Sequence, residues 1–235
     1  MKKKIIEFIA INEDAHIAFD PPIPASKMIP EWYKKMKKFS GDKMVLSDNG
    51  TANLTIKSCM PVFDMTTAGY YLTLPADVLF NKENGSYKTT WSTDLIHMIE
   101  NHANQQYEHL RLEPEYYPLA FKFVQPWIVK TPPGYSCLII QPTYRDDLPF
   151  TIFPAIVDTD SHPLPINLPF LLRDGFEGIL EAGTPIAQII PFKRDDWKVE
   201  YGVDINSFGK RSWQRAQRKI YNRYKMFHRT IKVWS

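Results

Sequence analysis

The run from Phe153 to Phe192, FPAIVDTDSHPLPINLPFLLRDGFEGILEAGTPIAQIIPF, restricts what this chain can become more than any other stretch. Its apolar pieces are short and are parted by the turn Asp158-Thr159-Asp160 and by Ala182-Gly183-Thr184-Pro185, with no interval long enough for a helix. The pattern predicts strand, acidic turn, strand, glycine-hinged turn, strand. The carboxylates of Asp158 and Asp160 are one residue apart and could converge on a cation or a water. Within the last apolar piece Gln188, if buried, needs hydrogen-bond partners, so it either ties a neighbouring strand or faces a site.

The rest of the chain agrees with a mainly β fold. Its 235 residues carry 19 Pro against 10 Gly, which suits many rigid turns between short strands, and the 44% hydrophobic composition is that of a globular protein with a proper core. Cys59 and Cys137 lie far apart with no second cysteine near either, so neither a zinc site nor a disulfide framework is indicated, and a reducing, cytoplasmic setting is expected. The start MKKKIIEFIAI imitates an export signal, yet Glu7 interrupts a short apolar run and no small-residue cleavage site follows. No window reaches the roughly 18 apolar residues of a membrane span.

Taken in order, the first strand leads to a proline-rich arm and a short helix from Glu31 to Lys38, started by Pro30. Strands are expected over 53–58, 70–74, 76–80, 86–91, 119–129 and 135–141. The segment holding His97, His102 and His109 reads as one strand and one short helix. Its spacing matches no metal-ligand pattern. Arg145, in the loop after Gln141-Pro142, stands beside Asp146 and Asp147, as a local ion pair or part of a site. From Ile205 onward nine Lys or Arg meet no Asp or Glu, leaving 20 basic against 26 acidic residues before it. There Trp213, Ala216, Ile220, Tyr224, Phe227 and Ile231 recur at helical steps, predicting an amphipathic helix capped by Ser212. Lys210, Arg211, Arg215, Arg218, Lys219 and Arg223 would form its basic rim, either solvated or set against an acidic partner or nucleic acid.

Three segments resemble motifs of the dUTPase and dCTP deaminase superfamily. They are Ala68-Gly69-Tyr70-Tyr71-Leu72, the run Ala155 to Pro163 around Asp158, and Gly183 to Ile190 with the sequence GTPIAQII. The resemblance implies a distorted β-barrel, with self-association as a trimer, and barrel closure that brings the corners at Gly69 and Asp158 together. The corresponding regions would be an arm over 1–45, the barrel over 46–200 and the basic helix over 201–235. It also implies that Asp158 occupies the place of the residue that activates the attacking water. Other positions depart from the family: Tyr71 replaces an acidic residue near the magnesium, Ser161 an aromatic one at the sugar, and Thr143-Tyr144-Arg145 a phosphate-holding motif. Only Ser207-Phe208-Gly209 resembles the glycine-rich final motif, and Pro169 stands where the deaminases keep a glutamate. Most of the chain, from TPPGYSCLIIQP through GTPIAQIIPFKRDDW, further resembles a family of tailed-phage and bacterial proteins with no attached activity.

The expectation is therefore a non-catalytic binding or assembly protein, including a structural role in a virion if the source is viral, with no cofactor. One alternative is a divergent nucleotide pyrophosphatase using Asp158, Asp160 and magnesium, with Tyr71, Arg145 and Gln188 at the ligand. The other is a nucleic-acid-binding protein working through the basic helix.

Overall fold

Alternation of apolar and polar residues translates into short strands in the computed structural model, which describes residues 4–48, 52–109, 115–202 and 223–234. Contacts group the chain into two units, Met1–Ala25 with Gly69–Arg194 and Ser26–Ala68 with Asp195–Ser235. All the named strands belong to the first unit and form four antiparallel sheets. The largest has the order β11 (Ala155–Val157), β9 (Tyr135–Ile140), β14 (Pro185–Lys193), β3 (Tyr70–Thr73), β2 (Ile23–Pro24). A second runs β10 (Phe150–Ile152), β12 (Leu168–Leu172), β7 (Phe121–Phe123), β6 (Ile99–Asn101). The third is β13 (Gly178–Leu180), β4 (Val78–Glu83), β5 (Ser86–Trp91), and the fourth pairs β1 (Glu7–Ala10) with β8 (Trp127–Lys130). Among the described residues no sheet closes on itself, so the expected barrel appears as open sheets.

One apolar core joins all four sheets, drawing Leu72, Phe80, Phe123, Val129, Ile139, Phe170 and Ile189 from different strands. Phe123 and Phe170 stack at 3.9 Å, with Phe150 edge-on to Phe123 at 5.0 Å. Such aromatic pairs add about 0.5–1.5 kcal/mol each beyond the area they bury. The strand expected over 119–129 is divided into β7 and β8 because Pro126 has no amide to donate. The buried Gln125 bridges the break, accepting from Trp127 N at 2.7 Å and donating to Trp127 O at 2.8 Å, so the chain can leave one sheet for another.

A helix absent from the sequence reading, α1 (Glu13–Ala18), follows β1, with the Asn12 side chain accepting from Ala15 N at 2.7 Å. In the second unit α2 covers Glu31–Lys35, shorter than expected. The strand expected over 53–58 is instead a 3-10 turn at Ile56–Ser58 that leads into α3 (Met60–Thr66). Pro61 suits a first helical turn, where its missing N–H is not needed. The basic helix expected up to Ile231 is represented among the described residues by α4 (Arg223–Phe227) alone. That helix ends where the Arg229 guanidinium and the Lys232 ammonium meet the Asp64 carboxylate of α3 at 2.6 and 2.8 Å. Tyr224, Phe227 and Ile231 are exposed and form no buried stripe, while Trp213, Ala216 and Ile220 lie outside the described residues. No described helix is long and apolar enough to cross a membrane.

Gly69 opens β3 at φ +66°, and a Cβ there would stand 1.9 Å from the Ile189 carbonyl oxygen. No side chain fits so close a backbone approach. Gly69→Ala is expected to lower unfolding free energy by about 3 kcal/mol or more, from left-handed backbone strain and displacement of β14, measured by urea denaturation. Burial pushes the Cys137 thiol up to about 11 against the opposing hydroxyl of Thr159, whereas Cys59 is exposed. A disulfide-exchange reagent at neutral pH should therefore react rapidly with one thiol in the native protein and with two after denaturation.

Candidate functional site

The ladder between β9 and β14 runs from Gln188↔Ile140 to Lys193↔Tyr135, and one more bond, from Arg194 N to Gly134 O at 2.9 Å, extends it past the strand end. On the other side of β9, Val157 pairs with Cys137, so the Asp158-Thr159-Asp160 turn emerges beside Ser136. Arg194 is thereby delivered to the turn. Its Nη1 donates to Asp158 Oδ1 at 3.1 Å, Asp160 Oδ1 at 3.0 Å and Ser136 Oγ at 2.9 Å, and its Nη2 donates to Asp160 Oδ2. Gly134 N also donates to Asp160 Oδ2, at 2.8 Å, and Ser136 Oγ to Asp158 Oδ1, at 2.6 Å. The Arg194 guanidinium, helped by the Gly134 amide, holds the Asp160 carboxyl below the usual carboxylate range. Between the two acids Thr159 turns inward, 1% exposed, its hydroxyl 2.7 Å from that of Thr131 and 3.3 Å from Cys137 Sγ.

Magnesium was the metal expected if these acids served a hydrolase. The residues present do not fit it, because Arg194 already occupies the space between both carboxylates. Among the described residues no group of three or more His, Cys, Asp or Glu is placed to hold a metal ion. His97 packs edge-on against Trp91 and His102 stacks on Tyr107.

At the far end of β9 the chain turns into the loop carrying Arg145. Gln188 is fully buried and its Oε1 accepts from Thr143 N at 3.1 Å and Thr143 Oγ1 at 2.9 Å, so it ties the loop to the sheet. Arg145 forms a two-pronged pair with Asp147, Nε to Oδ1 at 2.8 Å and Nη2 to Oδ2 at 2.7 Å, which holds the Asp147 carboxyl low. Tyr71, directly opposite Gln188 in the ladder, is wholly buried. Burial raises its phenol, with Thr143 and Arg145 acting in the other direction, yet its hydroxyl reaches no partner in hydrogen-bond geometry among the described residues. Tyr144 adopts φ +58°, a left-handed conformation that costs about 1–2 kcal/mol for a residue with a Cβ. Beside it opens a cleft of about 310 Å³ that reaches to Tyr116, Thr151 and Arg173.

The five expected ligand residues thus fall into two groups: Tyr71, Arg145 and Gln188 at one end of β9, Asp158 and Asp160 at the other. Ser136 and Ile140 are four residues apart, about 14 Å along an extended strand. Nor are the corners at Gly69 and Asp158 brought together within the chain. β14 and β9 lie between their strands, three spacings of about 4.8 Å each. Lys210, Arg211, Arg215, Arg218, Lys219 and the motif Ser207-Phe208-Gly209 lie outside the described residues, as does the Arg223 side chain.

Sequence reasoning missed Arg194, which stands 34 positions beyond Asp160 and is placed only by strand register. It also missed Arg173, an unremarkable charge before an Asp-Gly turn. A depressed carboxyl stabilises the fold above its unfolded pKa, about 3.9, and that contribution is lost as pH falls through the folded value. Arg194→Ala should therefore lower the melting temperature at neutral pH and flatten its decline below about pH 4, seen in melting curves across pH. Comparisons with protein-family models, curated proteins and solved structures returned no match to this chain.

Proposed function

We propose that this chain is a non-catalytic binding or assembly protein on a dUTPase-like β scaffold. The observation that carries this reading is the engagement of the acidic turn. A general base needs a lone pair directed at a water, and a metal needs open carboxylate oxygens. Here both acids accept from Arg194, and Asp158 also accepts from Ser136. Support for the scaffold comes from the three motif-like segments, which contribute β3, β11 and β14 to a single sheet, with Gly69 of the first pressed onto Ile189 of the last. Self-association, as a trimer if the resemblance holds, would use open sheet edges such as β11, where Ile156 is 65% exposed.

A divergent pyrophosphatase is the second reading, favoured by the Asp158 side chain being 64% exposed. It would require Arg194 to swing away. Nucleic-acid binding has less support, since Arg229 and Lys232, two of the basic residues described near the C-terminus, are engaged by Asp64. Incubation with nucleoside triphosphates and magnesium is expected to release no pyrophosphate above the protein-free rate. Release that disappears in Asp158→Ala would replace the first reading with the second.

A further inference from the structure

We propose that the cleft beside Tyr144 binds a small molecule through a single carboxylate group, anchored by Arg173. At about 310 Å³ the cleft lies at the small end of ligand pockets, which span roughly 300–1,000 Å³. Its wall is built by backbone pairing. Tyr116 and Arg173 face each other across an antiparallel bridge, which places their Cβ atoms about 4.5–5.5 Å apart on one face. Tyr117 N donates to Leu172 O and Arg173 N to Pro149 O, both at 2.8 Å, so the segment is fixed on both sides.

Two donor groups follow from that wall. Among the described residues the Arg173 guanidinium meets no carboxylate and makes no hydrogen bond. The hydroxyls of Tyr116 and Thr151 are 2.8 Å apart, and only one of their two protons can lie between them. The other proton remains to be donated into the cleft. A guanidinium fork beside a spare O–H suits a planar carboxylate.

Charge on the opposite rim selects among oxyanions. Asp147 offsets Arg145, while Asp146 is exposed and meets no cation among the described residues. The uncompensated charges are thus one positive and one negative, which disfavours a phosphate dianion relative to a monoanion. Pro142, Leu148 and Phe150 give the ligand's body an apolar contact. The left-handed Tyr144, in the loop that closes this side, is the kind of strained position found where a ligand is clamped. The proposal does not depend on the acidic turn, which lies at the other end of β9.

Isothermal titration of the full chain with benzoate and with phenyl phosphate tests it. Benzoate should bind more tightly than phenyl phosphate. Arg173→Ala should weaken benzoate by at least about tenfold, the loss of one charged hydrogen bond. Tyr116→Phe, which keeps the ring, should weaken it severalfold, and Asp146→Asn should narrow the preference against phenyl phosphate. Lys88→Ala, on exposed β5, should leave binding unchanged, with circular dichroism confirming the fold of each variant. If Arg173→Ala does not fold, Arg173→Gln carries the same expectation. Failure of benzoate to bind at millimolar concentration, undiminished benzoate binding by the Arg173 variant, or tighter binding of phenyl phosphate would each overturn the proposal.

Discussion

The register of β14 between β9 and β3 governs both loops described above. Within this strand Gln188 stands opposite Ile140 and Tyr71, and the ladder continues to Arg194 beside Gly134. Six residues separate Gln188 from Arg194, an even step that keeps both side chains on one face. The first holds the loop after β9 by its buried amide, and the second holds the turn after β11 by its guanidinium. A slip of one residue would turn both away and leave the Thr143 amide without the Gln188 acceptor. Gly69 guards that register from the other side, since its contact with the Ile189 carbonyl leaves no room for a Cβ.

The acidic turn is held from within as well as from without. Thr131, Ser136 and Thr159 are all buried, and their hydroxyls link the turn to the end of β8 and the start of β9. Arg194 closes the solvent side. A turn secured on two sides would have to release these contacts before it could activate water or bind a metal. In contrast, the cleft beyond Ile140 retains a cation, a spare hydroxyl proton and a strained backbone, features that point outward to a ligand.

In the second unit the charge pattern was legible but its use was not. Nine basic residues near the C-terminus suggested a solvated rim or a contact with an acidic partner or nucleic acid; two of them, Arg229 and Lys232, pair instead with Asp64 of the same unit. The short helices at Pro61 in this unit and after Asn12 in the first unit carried helix-start signals of their own, a proline suited to a first turn and an asparagine before Glu13-Asp14. Both were short enough for the surrounding β pattern to mask them.

Composition and local pattern were sufficient for the mainly β architecture, the strands β3 to β5, β9, β11 and β14, and the need of Gln188 for a partner, whereas β10 was not foreseen and the one strand expected between the acidic turn and Gly183 is two, β12 and β13. Those properties depend on neighbours within a few positions, where alternation, proline and glycine act directly on the backbone. Which acids are free, and which cations answer them, was decided only by tertiary structure. Arg194 reaches Asp160, and Arg173 reaches the side of Tyr116, through strand pairings between residues dozens of positions apart. Spacing along a chain carries no such information, because an ion pair depends on distances of a few ångströms that are set after the sheets have assembled.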